Sequence, residues 1–104
     1  MRFLLHLDFP VEPFNSYVRD GSIADRIQKI MAHVKPEAAY FSEHNGNRGA
    51  VLVVNVKETS EIPRIAEPFF LQFEASAEFR IAMSPEDLAH ADLGTLGKTF
   101  GEQD

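Results

Sequence analysis

Four residues able to do acid, base or anion-binding chemistry fall on alternate positions of two short segments. His6 and Asp8 lie in Phe3-Leu4-Leu5-His6-Leu7-Asp8-Phe9, and Glu78 and Arg80 in Ser76-Ala77-Glu78-Phe79-Arg80. A spacing of two is the period of a β-strand, so each pair points to one side of a sheet. Histidine titrates near neutrality, and a carboxylate beside it fixes its tautomer and raises its basicity, which is what a general base needs. His6 is therefore the candidate base, with Asp8 or Glu78 as its orienter or second acid. Arg80 is the candidate anion clamp, because its planar fork matches a substrate carboxylate. On paired strands Glu78 or Arg80 would stand about 5 Å from His6, Cβ to Cβ. A purely structural account gives the same residues satisfied partners: His6 bonded across a dimer contact, Asp8 paired with an arginine, Glu78 paired with Arg80.

Around Asn45-Gly46 lie Glu43, His44, Asn47 and Arg48. The cluster is polar enough to bind an anion, but turn chemistry explains it, since Asn-Gly supplies the positive φ values of a tight hairpin. His33 and His90 fall on exposed helical positions and carry no argument. No close metal-ligand spacing connects His6, Asp8 and His44, and the chain has no cysteine, so neither a metal nor any other cofactor is expected.

The elements that must position these groups follow from periodicity. In residues 2–9, Phe3, Leu5, Leu7 and Phe9 share one face, and Pro10 ends the strand. Residues 11–34 change to helical spacing, with Asp20-Gly21 splitting them in two and Ser22 reading as a new N-cap with an acid three residues on. Residues 38–43 form a second strand and 50–56 a third, inner one. Thr59 or Ser60 caps a helix through Ile62, Ile65, Ala66 and Phe69 that Pro68 ends or bends. Residues 75–83 form the last strand, and the tail from 84 to 104 reads as a weak helix followed by loop.

This order, with right-handed crossovers, gives an α+β, ferredoxin-like βαββαβ fold: a four-stranded antiparallel sheet, two helices on one face, first and third strands central. One face is fully apolar. The other carries Leu4, His6, Asp8, Glu78, Arg80 and Asn55 with Val51 and Val53, and either Tyr40, Ser42 and His44 or Ala39, Phe41 and Glu43. Such a face is too apolar to stay wet and too polar for a dry core. Sheet against sheet in a two-fold dimer is the common closed solution, and leaves a lumen lined by the polar groups, with Tyr40 and Asn55 as further substrate contacts.

The 104 residues make one domain, and 44% hydrophobic residues supply its core. A net charge of −6 repels phosphate backbones. An RNA-recognition module has the same element order, but Arg48-Gly49 is followed by Ala50-Val51-Leu52-Val53 in place of stacking aromatics, which excludes it. Asp8 and the strand alternation spoil a signal-peptide core, and no run is long enough to span a membrane. A cytoplasmic protein is expected.

The βαββαβ order, the opening strand Arg2–Phe9 and the Glu67-Pro68-Phe69-Phe70 helix end before the last strand resemble the dimeric α+β barrel superfamily, which includes antibiotic-biosynthesis monooxygenases and muconolactone isomerase. The resemblance implies a homodimeric α/β barrel and a cofactor-free oxygenase or an isomerase acting on a small ring compound. The alternative it leaves open is a non-catalytic ligand-binding or assembly module. Haem-degrading relatives use an Asn, His and Trp set with the histidine on a helix. This chain has no Trp, and His33 falls in the wrong segment to match.

Overall fold

The computed structural model describes residues 1–102, so the last two positions of the tail lie outside it. The elements are β1 (Arg2–Phe9), α1 (Val11–Asp20), α2 (Ile23–Val34), β2 (Ala38–His44), β3 (Asn47–Asn55), α3 (Glu61–Phe73), β4 (Ser76–Ile81), α4 (Pro85–His90) and α5 (Leu93–Phe100). The strands form one antiparallel sheet in the order β2-β3-β1-β4. β1 and β3 are central, as their apolar content requires. The sheet is open within the chain, with β2 and β4 as its edges.

Alternation along β1 decides which face is covered. Phe3, Leu5, Leu7 and Phe9 are buried, while Leu4, His6 and Asp8 between them stay partly exposed. The buried set packs with Ala50, Leu52 and Val54 of β3 under Ile30 of α2 and Ile65, Phe69 and Phe73 of α3. Phe73 is the hub, with ring centroids 5.2, 5.5 and 5.6 Å from Phe9, Phe14 and Tyr17. Full burial of each such side chain contributes about 1.5–3 kcal/mol, which fixes helices α1 to α3 on this face. β4 is shorter than the expected 75–83, and Ile81 and Met83 at its end are exposed.

The helical segment divides where Asp20-Gly21 predicts, Gly21 closing α1 at φ 80°. Ser22 does not form the expected capping box. Its own N–H donates to Asp20 Oδ1 at 2.8 Å and its hydroxyl accepts from Arg26 Nε at 2.8 Å, so the side chain is already committed. Neither Thr59 nor Ser60 caps α3 through its side chain. Backbone carbonyls do that work: Glu58 O and Thr59 O accept from the Glu61 and Ile62 N–H groups at 3.0 and 3.1 Å, while the Glu61 carboxylate accepts from the N–H groups of Lys57 and Glu58 in the preceding loop at 2.7 Å each, bonds that hold its carboxyl below the usual glutamate range.

Pro68 neither ends α3 nor leaves a gap in it. Proline lacks the N–H that would bond to the carbonyl four residues earlier, which frees Arg64 O. His33 Nε2 of α2 lies 3.0 Å from that oxygen and donates to it. The histidine that looked idle on an exposed helical face thus replaces the missing backbone donor and ties α2 to α3.

After β4 the chain forms two helices where one weak helix and a loop were expected. Ser84 Oγ accepts from Asp87 N–H while the Asp87 carboxylate accepts from Ser84 N–H, a full capping box with Pro85 at the first helical position. Those bonds also lower the Asp87 pKa. Neither helix buries a residue, and the molecule measures 65 × 30 × 19 Å. Among the described residues, no helix is long and apolar enough to cross a membrane.

Candidate functional site

The face away from the helices is organised in rows by strand register. Tyr40, Val51, His6 and Glu78 form one row across β2, β3, β1 and β4; Ser42, Gly49, Asp8 and Ser76 form the next; Ala38, Val53, Leu4 and Arg80 lie on the other side. The parity left open for residues 38–44 is therefore settled: Tyr40, Ser42 and His44 share the face of His6, and Phe41 does not. The hairpin explains this. Asn45 and Gly46 have φ of 53° and 80°, a two-residue turn that pairs His44 with Asn47 and each residue of β2 with a defined partner on β3.

Asp8 is partnered by His44. Nδ1 of His44 lies 2.9 Å from both carboxylate oxygens. A carboxylate only accepts, so Nδ1 carries the proton, and in the neutral ring Nε2 holds the free lone pair of a base. Contact across an intervening strand is possible because Gly49 stands between them without a side chain. A Cβ there would sit 3.0 Å from Leu7 O and 3.3 Å from both His44 Cβ and Ser42 O. The pair is half open to water, its side chains 57% and 37% exposed for His44 and Asp8.

The pair borders a hollow of about 380 Å³ whose lining includes His6, Asp8, Ser42, His44, Glu78 and Arg80. His6 and Glu78 are register partners, and Arg80 donates to Glu78 Oε2 at 3.1 Å. Four of the expected site residues, His6, Asp8, Glu78 and Arg80, thus converge. Tyr40 stands in the His6 row on the edge strand and outside the hollow's lining. Asn55 lies at the opposite end of the face, where its Oδ1 accepts from the chain's terminal amine at 3.4 Å and it lines a separate hollow with Arg2 and Asp87. Among the described residues no three His, Asp or Glu side chains are placed to hold a metal ion.

His44 was the residue hidden in the sequence, read there as part of a turn. The signal for it was the Asn45-Gly46 hairpin itself, which pairs Ser42 with Gly49 and so puts His44 diagonally across a glycine from β1. In comparisons with known proteins, no family model and no curated protein matches the chain.

Proposed function

We propose that this chain is a homodimer of ferredoxin-like subunits whose open sheet faces meet around a small-molecule cavity. It acts there on a small ring compound by proton abstraction, as a cofactor-free oxygenase or an isomerase. The observation that carries this reading is the Asp8–His44 pair at the rim of a hollow that also holds His6, Glu78 and Arg80. His44 Nε2 is the base, Asp8 its orienter, His6 or Glu78 the second proton carrier an isomerase requires, and Arg80 the clamp for a developing or resident anion. Closing the sheet face with a second copy removes water from the pair, which strengthens every polar interaction in it. The non-catalytic alternative has one observation in its favour: Asp8 with His44 and Glu78 with Arg80 satisfy one another's hydrogen bonds without a ligand.

Native mass spectrometry combined with turnover measurements tests the reading. The intact protein is expected at twice the 11.7 kDa chain mass. Oxygen uptake and absorbance are then followed with dihydroxynaphthalenes and unsaturated lactones as probes. His44→Ala is expected to lower turnover by about 100-fold or more with the dimer intact. A monomer, or turnover retained in both His44→Ala and His6→Ala, overturns it.

A further inference from the structure

The C-terminal helices present a physical problem that the subunit alone does not solve. α4 has six residues and α5 has eight. Isolated helices shorter than about 12–15 residues are marginal in water even with ideal composition. α5 also holds Gly94 and Gly97, each costing roughly 1 kcal/mol relative to alanine. Local capping specifies where α4 starts, but neither helix has a buried residue to stabilise it. Its apolar side chains are set for a partner: Leu93, Leu96 and Phe100 share one face of α5 by their spacing and, with Leu88 of α4, are 56%, 47%, 78% and 48% exposed.

The partner that fits is a second copy of this chain. The segment leaves the body at the border of the open sheet face, where Ser84 and Asp87 line one hollow with Arg2 and Asn55. A subunit seated on that face is the nearest body the segment can meet. Area points the same way. Four strands about 4.8 Å apart and about 20–30 Å long cover roughly 480 Å² in projection, part of it lost to the hollow, whereas a stable interface takes about 800 Å² of accessible surface from each side. In a two-fold dimer each segment reaches the other subunit, so both contribute equally.

We infer that residues 85–100 are a clasping arm, folded against the second subunit of the dimer and supplying the area that the sheet faces lack. The inference rests on the sheet-to-sheet dimer proposed above. Sedimentation equilibrium on the full chain, on a chain ending at Met83 and on a Leu93→Asp/Leu96→Asp variant tests it. So do isotope-filtered NOEs on dimers mixed from ¹³C-labelled and unlabelled chains. Because the arm buries nothing in its own subunit, both variants retain the subunit fold. The expected result is a dimeric full chain, dissociation constants raised about tenfold or more in both variants, and NOEs from Leu93, Leu96 and Phe100 to the unlabelled subunit. A dimeric full chain whose arm is dispensable, or gives NOEs only within its own chain, overturns the arm and leaves the dimer standing. A monomeric full chain overturns both.

Discussion

At the scale of single residues, the site depends on an absence. Gly49 lets the His44 ring cross β3 to Asp8, and the carboxylate then selects the tautomer with the proton on Nδ1. In a long-range ¹H–¹⁵N spectrum of the neutral protein, His44 is expected as the Nδ1–H tautomer. Both Asp8→Ala and Gly49→Val are expected to shift it to the commoner Nε2–H form, the first by removing the acceptor and the second by placing a branched side chain between the partners. A wild-type ring already in the Nε2–H form would refute the pair, and an unchanged tautomer in Gly49→Val would refute the role of the glycine. The alternation of His6 and Asp8 was legible from β1 alone, because period and polarity agree there. The choice of His44 over His6 as Asp8's partner was not, since it arises from register across three strands and from what one position lacks.

Elements show where local rules yield to tertiary contacts. The strands, the split at Gly21 and the hairpin at Asn45-Gly46 follow from short-range patterns and appear in the expected places, although β3 begins earlier, at Asn47, and β4 is shorter than 75–83. Capping and helix ends departed from expectation where a side chain took another partner: Arg26, one turn on, engages Ser22, Glu61 reaches back to Lys57 and Glu58, and the distant His33 serves Arg64 O so that α3 continues through Pro68. The last case makes a double-mutant cycle decisive. His33→Ala in the natural chain leaves the Arg64 carbonyl without its donor and should cost about 1 kcal/mol in urea unfolding. In a Pro68→Ala background the backbone N–H of residue 68 bonds that carbonyl again, and the cost of His33→Ala should fall toward zero. Equal costs in both backgrounds would show that His33 and Pro68 are not coupled, and that the histidine contributes by packing alone.

For the whole molecule, charge and shape pull in different directions. Each chain carries a net charge of −6, so two copies repel at long range. The open face is more even, with Arg2 paired to Glu37, Arg80 to Glu78, and Asp8 bonded to His44 within one chain. In the proposed dimer, association through that face relies on apolar contact from Leu4, Val51, Val53 and the C-terminal helices, against a background of repulsion between like-charged bodies. Salt near physiological strength screens charges over about 8 Å, which weakens the repulsion and leaves apolar burial intact. Raising sodium chloride should consequently tighten the dimer, with the change carried mainly by a faster association rate in surface-exchange or stopped-flow measurements. If salt instead loosens it, ion pairs across the two subunits dominate the contact. Arg80 and Glu78 would then exchange partners between chains, and the hollow would be a salt-bridged seam with no anion clamp left for a substrate.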